Sequence, residues 1–334
     1  MDNLINKITQ DINISLKKIE YDKNVINLYN PIEYTLDNGG KRIRPLLMIM
    51  AYSLYKDDYE KIMNCAVALE VYHNFTLLHD DVMDNANVRR GKPCVHVKWD
   101  ENTAILSGDA MLIMAYQLMT KDFSSFNNDK YSTDNFRRAL NTFNQATLGV
   151  CEGQQFDMDF EKQDHITENQ YMEMIRLKTS LLLSCALKIG AQLAGADDND
   201  VNLLAQFGEK IGLAFQLQDD LLDVYADEKV FGKAVGGDIA ENKKTFMLIK
   251  TLELANEQQR KHLEYWLKLK HFDKQQKYLA VKEIYDQLNI SDICNQKIES
   301  LFSEAINALN NVNAPEEKKE HLRLLSYKLM KRNS

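Results

Sequence analysis

Two clusters of aspartates are the residues whose types and spacing are best suited to chemistry. The pattern D-D-x-x-D occurs at residues 80–84 and again at residues 219–223. On a helix, the first and last aspartates of such a cluster lie one turn apart on nearly the same face, where like charges cost roughly 0.2–0.5 kcal/mol even when exposed. Both clusters have apolar neighbours and no Lys or Arg four residues away. Unpaired carboxylates at the edge of a core would therefore be costly.

A hard divalent cation would resolve this conflict. Mg²⁺ takes oxygen ligands and usually shares its coordination shell between one or two carboxylates and substrate phosphates. The clusters therefore predict two acidic walls of one apolar cavity that binds Mg²⁺ ions and, through them, a diphosphate. One cluster alone would more simply be a solvated acidic turn or a helix cap, and neither has the Gly and Glu positions of an EF-hand. The predicted metal ligands are Asp80, Asp81, Asp84, Asp219, Asp220 and Asp223.

Two runs of basic residues fit the same chemistry. Residues 39–45 read G-G-K-R-I-R-P, and Arg89, Arg90 and Lys92 follow the first aspartate cluster. Arg offers paired donors to phosphate oxygens, whereas Lys acts as a point charge. Either run alone would more often be a solvated charged loop. Beside the aspartates, the phosphate-binding interpretation is favoured.

Two further segments carry polar groups in an apolar context. Residues 178–180, Lys-Thr-Ser, interrupt a long apolar helix. The alternative there is a lysine that snorkels to solvent beside a hydroxyl bonded to its own helix. Residues 231–245 contain glycines and lysines but lack the spacing and the preceding strand of a P-loop. They predict either a flexible lid with a phosphate-directed lysine or a plain connection between helices.

Composition narrows the class of protein. The chain has 334 residues, 45 % of them hydrophobic and 27 % charged, with only 4 prolines, which favours long helices in a globular protein. A net charge of −8 argues against a general nucleic-acid binder. Five scattered cysteines without a C-x-x-C pair fit a reducing, cytoplasmic setting. Residues 1–16 do not resemble a secretory signal, and residues 179–196, which include Lys188 and Gln192, predict a buried helix rather than a membrane span.

Helical periodicity predicts one helical domain over residues 1–334, with a more polar section from about residue 251. No alternation of strands and helices supports a Rossmann-like sheet. A helix is expected to open at Pro45, and others are expected over residues 61–84, 103–120, 136–160, 168–194 and 199–226. Breaks are expected near residues 38–40, 90–93, 127–129, 196–199 and 232–238.

Taken in order, these motifs resemble the trans-isoprenyl diphosphate synthases, the polyprenyl synthetase family that includes farnesyl, geranylgeranyl and longer-chain enzymes. The resemblance spans residues 39–245 and includes G-Q-x-x-D at residues 153–157 and G-K-x-x-G-x-D at residues 232–238. It implies an all-α isoprenoid synthase fold, an orthogonal bundle of long helices around a deep central cavity. It also implies a homodimer and three Mg²⁺ ions with bound diphosphate.

The resemblance implies a role for individual residues. Among the aspartates, Asp80, Asp84 and Asp219 would bind the Mg²⁺ ions, and the other three would support them directly or through water. Isopentenyl diphosphate would be held by Lys41, Arg44, His73 and Arg90. The allylic diphosphate would be contacted by Arg89, Lys178, Gln216 and Lys233, and the same substrate region would include Asp238 and Lys243. The catalytic cavity would be lined by Gln154 and Asp157.

The implied reaction is a condensation of isopentenyl diphosphate with an allylic diphosphate. Metals and cations stabilise the departing pyrophosphate, so the allylic C–O bond ionises. The isopentenyl double bond then attacks the carbocation, and pyrophosphate takes the final proton. The main-chain carbonyl of Lys178 and the side-chain oxygens of Thr179 and Gln216 would stabilise the positive charge. No Ser–His–Asp or Cys–His nucleophile is needed.

The length of the product would depend on the helix before the first aspartate cluster, along which the family's growing chain runs. Thr76, Phe75 and Tyr72 lie roughly 6, 7.5 and 12 Å before Asp80 at the rise of an α-helix. Phe75 would form a floor and Tyr72 a second plug, unless both merely pack the core. This predicts geranylgeranyl diphosphate first and farnesyl diphosphate second. Threonine before L-L-H-D-D also resembles the long-chain enzymes.

Three rival functions stay open on sequence alone. A terpene cyclase also binds diphosphate through aspartates but normally lacks the second D-D-x-x-D and the motif at residues 39–45. A non-catalytic subunit of a heteromeric synthase would have lost aspartates that this chain retains. The third rival is a structural or metal-binding helical protein without activity.

Overall fold

The computed structural model describes residues 2–123, 130–226 and 235–330. These residues are almost entirely helical. The first helices are α1 (Asp2–Lys17), α2 (Ile26–Asp37), α3 (Ile43–Ser53), α4 (Met63–Met83), α5 (Val95–Lys98), α6 (Glu101–Lys121), α7 (Lys130–Glu161) and α8 (Glu168–Ile175). The later helices are α9 (Leu181–Ala194), α10 (Asp198–Tyr225), α11 (Gly237–Ala240), α12 (Phe246–Leu254), α13 (Glu257–Lys268), α14 (Lys274–Gln287), α15 (Ile290–Asn310) and α16 (Glu316–Met330).

The all-α prediction is confirmed, with three local differences. The expected break at residues 90–93 is a hairpin of two short strands, β1 (Val88–Arg89) and β2 (Lys92–Pro93). Helix α3 begins at Ile43, so Pro45 lies inside its first turn, where a missing N–H removes no intrahelical hydrogen bond. A π-helical turn at Arg176–Ser180 joins α8 to α9. The breaks expected at 127–129 and at 232–234 lie outside the described residues.

Proximity of Cα atoms divides the chain into two compact units, each built from three separate segments. The first unit contains Met1–Phe143, Ala186–Val201 and Ala314–His321. The second unit contains Asn144–Cys185, Asn202–Asn313 and Leu322–Ser334. The expectation of one domain over residues 1–334 stays a prediction.

Glycines bring helices into close contact in the first unit. Helix α4 packs along α6, and a Cβ at Gly108 of α6 would lie 2.2 Å from Nε2 of His79. His79 Nε2 in turn lies 3.1 Å from the carbonyl oxygen of Ile105. On α9, a Cβ at Gly190 would lie 2.1 Å from the carbonyl oxygen of Met48 in α3. The contact at Gly108 places α6 directly beside the end of α4, where the first aspartate cluster begins.

The second unit has a continuous apolar core, to which α8, α10 and α12 to α15 all contribute. Polar caps define where its helices start. Thr167 and Gln170 form a capping box at α8, and the Thr245 side chain accepts from the Leu248 N–H at α12. All five cysteines of the chain are free. Among the described helices, none combines the length and apolar character that crossing a membrane requires.

Candidate active site

The first aspartate cluster lies at the C-terminal end of α4 and is partly neutralised by an arginine. Asp80 and Asp81 are in the last turn of the helix, and Asp84 is the exposed residue that caps it. Arg89 Nε on β1 donates to Asp81 Oδ1 at 2.7 Å, and Arg89 Nη2 lies 3.6 Å from Asp80 Oδ2. Helical spacing alone does not predict Arg89 as this partner. Arg89 lies on the hairpin after α4, and the hairpin returns the chain toward the end of that helix.

Arg42, the middle cation of the motif at residues 39–45, is structural. Its backbone is left-handed at φ 51°. The buried guanidinium donates to Glu70 Oε1 at 2.7 Å, to the Leu36 carbonyl oxygen at 2.7 Å and to Asn13 Oδ1 at 3.0 Å. These hydrogen bonds engage all three nitrogens of the Arg42 guanidinium, so Arg42 anchors the loop.

Arg44 and His73, both assigned to isopentenyl diphosphate, are brought together by the fold. Arg44 Nη1 lies 3.0 Å from His73 Nε2. Burial, and next the Arg44 charge, hold the pKa of His73 well below its usual value. The imidazole is therefore neutral and accepts from Arg44. Burial lowers the pKa of Arg44 to about 10, so the guanidinium stays charged at neutral pH, and its buried Nε donates to no described acceptor.

Arg90 lies across the two glycines of the same loop. It donates to the carbonyl oxygen of Gly39, and a Cβ at Gly40 would lie 3.0 Å from Arg90 Nη1. Gly40 has φ 136°, a conformation that L side chains rarely adopt. Lys41, the remaining predicted ligand of this group, is exposed on the loop. The structure thus pairs Arg44 with His73 and lays Arg90 across residues 39–40, with the Arg90 charge near enough to act on both Arg44 and His73.

Glu70→Gln should destabilise the protein by about 3 kcal/mol, because it leaves Arg42 as a buried charge without a carboxylate. Because Arg42 anchors the loop, the variant should also raise the KM for isopentenyl diphosphate, the substrate that the sequence resemblance assigns to this loop. Denaturant unfolding and steady-state kinetics would measure both effects. Glu257→Gln breaks an exposed ion pair with Lys261 and should change stability by less than about 0.5 kcal/mol. Equal unfolding midpoints for the two variants would contradict the anchoring role of Glu70.

The second aspartate cluster lies near the C-terminal end of α10. Buried Asp220 accepts hydrogen bonds from the Tyr171 hydroxyl and from Gln216 Nε2, the latter at 3.0 Å. Burial, and next the Asp238 carboxyl, raise the pKa of Asp220 to about 7. Asp223 Oδ2 accepts the N–H of Asp238 at 3.0 Å, although burial raises the pKa of Asp223. Asp219 is half-buried on the same helix.

The Lys-Thr-Ser motif forms most of the π-helical turn. The Leu181 N–H donates to the Arg176 carbonyl oxygen five residues earlier. Lys178 Nζ donates to Asp157 Oδ2 at 2.6 Å, and Thr179 Oγ1 donates to Gln216 Oε1 at 2.9 Å. The turn therefore brings together four of the predicted catalytic side chains, and such turns are often found at functional sites.

Gly153 allows α7 to approach this turn closely. A Cβ at Gly153 would lie 2.4 Å from the backbone nitrogen of Lys178. The next residue, Gln154, is half-buried. The G-Q-x-x-D motif thus combines backbone contact at its glycine with an ion pair at Asp157.

Lys243 extends the positive charge of this region. Its Nζ lies 3.6 Å from Asp238 Oδ1. Burial would lower the pKa of Lys243, but the carboxylates of Asp238, Asp157 and Asp220 raise it above its usual value. Lys243 is therefore a cation at neutral pH. Its ammonium group lies beside Asp238, and the Asp238 N–H is bonded to Asp223 of the second cluster. Lys233 lies outside the described residues.

The donor set fits Mg²⁺ better than a softer metal. Among the residues with described placement, no three His, Cys, Asp or Glu side chains converge as a preformed metal site. Mg²⁺ needs no such cage, because it usually binds through one or two carboxylates together with waters and substrate phosphates. Each cluster offers carboxylate oxygens, with basic groups nearby that suit phosphate.

The residues assigned to product length form part of an aromatic row in the first unit. Tyr72 is fully buried and Phe75 is 8 % exposed. Their ring centroids are 5.4 Å apart, and Tyr72 also lies 5.8 Å from Phe143. Thr76 Oγ1 donates to the His73 carbonyl oxygen at 2.8 Å. The row gives α4 a rigid aromatic surface below the first cluster.

Comparison with known proteins places the chain in a family. The model of the polyprenyl synthetase family matches residues 26–288. The chain is 38 % identical to a geranylgeranyl diphosphate synthase of Sulfolobus acidocaldarius, over 94 % of this chain and 92 % of that protein. It is 41 % identical to the Methanosarcina mazei geranylgeranyl diphosphate synthase, over 68 % of each.

Solved structures agree. The chain is similar to a geranylgeranyl pyrophosphate synthase with a TM-score of 0.90, 42 % identity and 99 % coverage of both chains. It is also similar to the geranylgeranyl pyrophosphate synthetase of Pyrococcus horikoshii, with a TM-score of 0.89, 30 % identity and 99 % coverage of both chains. With its all-α isoprenoid synthase fold and its two aspartate clusters, this chain belongs to the polyprenyl synthetase family of prenyltransferases.

Proposed function

We propose that this chain makes geranylgeranyl diphosphate by adding isopentenyl diphosphate to an allylic diphosphate. The observation that carries the product length is the packing of Phe75 on the fully buried Tyr72. The names of the relatives from Sulfolobus acidocaldarius and Methanosarcina mazei support the same product. From the family resemblance, we further propose a cytoplasmic homodimer that uses three Mg²⁺ ions.

The aspartate clusters, in this proposal, hold Mg²⁺ and the allylic diphosphate, with Asp80, Asp84 and Asp219 as the main ligands. When bound, the metal supplies charge that stabilises the departing pyrophosphate. Arg89 and Lys243 already lie beside carboxylates, so each is placed to contact an anion held there. Lys178 and Lys233 would contribute further positive charge.

A neutral His73 and a charged Arg44, together with Arg90 and Lys41, would bind isopentenyl diphosphate. Thr179 and Gln216 would direct oxygen atoms toward the allylic carbocation. The hydrogen bond from Gln216 Nε2 to Asp220 Oδ1 supports this role, because a carboxylate only accepts and the amide oxygen is therefore the end that faces Thr179.

The direct test is incubation of the purified protein with Mg²⁺, isopentenyl diphosphate and dimethylallyl, geranyl or farnesyl diphosphate in turn. Chromatography of the dephosphorylated products would give their chain length. Geranylgeraniol as the end product from each primer supports the proposal. Farnesol or long-chain polyprenols as end products would overturn the assigned length, and cyclic products or no turnover would overturn the reaction.

Phe75→Ala should shift the product to longer chains, because it removes the first aromatic barrier on α4. Fully buried aromatic truncations typically cost 3–5 kcal/mol, so the comparison needs a control of equal chemistry. Phe207→Ala, at a core position of α10 that is 1 % exposed, should leave product length unchanged. Product chromatography at equal conversion would compare the two variants. If Phe75→Ala gave the wild-type product distribution, the floor assigned to Phe75 would be wrong.

A further inference from the structure

Lys277 on α14 is a fully buried charged residue, with 0 % of its surface exposed. Its Nζ donates to the Ala240 carbonyl oxygen at 3.0 Å and to Asn242 Oδ1 at 2.6 Å. It also lies 4.2 Å from the ring centroid of Phe272. No described carboxylate forms an ion pair with it. Burying an ammonium group without a carboxylate is costly. The burial of Lys277 therefore calls for a structural or functional explanation.

The acceptors of Lys277 belong to one short segment, residues 236–245, which includes α11. Asn242 has a left-handed backbone at φ 57°, and its Nδ2 donates to the Leu267 carbonyl oxygen at 2.9 Å. Lys244 Nζ donates to the Asn242 carbonyl oxygen at 3.2 Å. Asn242 thus takes part in three hydrogen bonds, one of which comes from the buried Lys277.

The next residue of α14 holds the other end of the same segment. The Tyr278 hydroxyl donates to the Val224 carbonyl oxygen at 2.8 Å. A Cβ at Gly236 would lie 2.5 Å from Cδ2 of the Tyr278 ring. Two consecutive side chains of α14 therefore support the segment at Gly236 and at residues 240–242.

The supported segment carries groups of the candidate active site. The Gly236 N–H donates to the Asp223 carbonyl oxygen at 2.6 Å, and the Asp238 N–H donates to Asp223 Oδ2 at 3.0 Å. The N–H of Lys243 donates to the Asp238 carbonyl oxygen at 2.9 Å. Any shift of the segment would therefore displace Asp238 and Lys243 from the second aspartate cluster.

We propose that Lys277 and Asn242 are positioning residues that hold Asp238 and Lys243 against the second aspartate cluster and thereby set the affinity for the Mg²⁺–diphosphate end of the allylic substrate. Neither residue needs to touch the substrate. The inference rests on the proposed role of that cluster. Among the described residues, the acceptors of the lysine are a carbonyl oxygen and an amide oxygen of the segment itself.

Lys277→Met removes the charge and both hydrogen bonds while keeping an unbranched side chain. Asn242→Gly removes the acceptor side chain and still accepts the left-handed backbone. We expect either variant to lower kcat/KM for the allylic diphosphate by about 10- to 100-fold, the scale of a small misplacement of binding groups. The KM for isopentenyl diphosphate should change less than about twofold, because the residues assigned to it belong to the first unit.

A binding measurement separates positioning from turnover. Calorimetric titration of inorganic pyrophosphate in the presence of Mg²⁺ should show weaker binding to both variants, by about tenfold or more. The double variant should lose less affinity than the sum of the two single losses, because both substitutions remove the same Lys277–Asn242 hydrogen bond.

Two controls test whether the effect is merely structural. Lys274→Met removes an exposed lysine one turn earlier on α14 and should leave kinetics and binding at wild-type values. Leu301→Ala truncates a buried core residue of α15. It should lower the melting temperature but leave both KM values unchanged.

The proposal is overturned if Lys277→Met behaves like Leu301→Ala, with lower stability and unchanged pyrophosphate affinity. Additive losses in the double variant would also overturn it. If Lys277→Met does not fold, Asn242→Gly with wild-type affinity decides against the proposal on its own. Failure of the wild-type protein to bind Mg²⁺–pyrophosphate or to transfer prenyl groups would instead refute the function proposed for the cluster.

Discussion

Asp80→Asn and Asp219→Asn should each lower kcat by about 10²–10³-fold, the loss typical of removing one electrostatic contact to a developing charge. The amide keeps the size of the carboxylate but loses its charge, so the fold should be retained. Each variant should also need more Mg²⁺ to reach half-maximal rate. Steady-state assays across a series of Mg²⁺ concentrations would measure both effects.

A surface aspartate gives the matched control. The Asp57 side chain is 90 % exposed and pairs with Lys318, so Asp57→Asn should leave kcat and the Mg²⁺ requirement unchanged. Circular dichroism melting would show that all three variants are folded. If Asp80→Asn and Asp219→Asn both kept kcat within tenfold of wild type, the clusters would not be the metal-binding groups.

Gly153→Ala should abolish most of the activity, by about 100-fold or more, because a small displacement of reacting groups is enough to do so. The new Cβ would lie 2.4 Å from the Lys178 backbone nitrogen and 2.8 Å from the Leu177 carbonyl carbon. Backbone atoms cannot rotate aside, so the π-helical turn itself must move. Lys178, Thr179 and their partners would move with it. Single-turnover assays would report the loss.

Gly149→Ala, one turn earlier on α7, is the matched control. Its Cβ would also meet an atom at 2.4 Å, but this atom is Cδ2 at the end of the Leu181 side chain, which can change rotamer. Both substitutions gain the same helix propensity, about 1 kcal/mol over glycine. Equal activity in the two variants would mean that the backbone contact at Gly153 does not matter for catalysis.

The sequence predicts the helices well because their apolar periodicity is long and prolines are few. It does not predict the π-helical turn. Residues 168–194 read as one apolar helix, and the one-residue insertion at Arg176–Ser180 leaves no mark in the spacing. The two-residue strands at Val88–Arg89 and Lys92–Pro93 are likewise too short for a pattern of period two.

The site residues also differ in how well the sequence predicts them. The aspartates, Arg44 and Lys178 could be named because their motifs are local. Glu70 and Tyr171 could not, because each acts on a partner distant along the chain, Arg42 and Asp220 respectively. A glutamate within the apolar run C-A-V-A-L-E-V-Y was the available signal for a buried ion pair. Tyr171 offered no comparable signal.

The interleaved make-up of the two units has a consequence for synthesis on the ribosome. The first unit includes the apolar segment Ala186–Val201, in which Gly190 packs against Met48, and the segment Ala314–His321, in which Lys318 pairs with Asp57 at 2.9 Å. Most of its core residues are translated before residue 144, but these two segments are translated later, and the second of them is translated near the end of the chain. Nascent chains would therefore expose unfinished apolar surface for most of translation, a state prone to aggregation. Chaperone dependence during expression should accordingly exceed that of a helical protein whose units are contiguous in sequence.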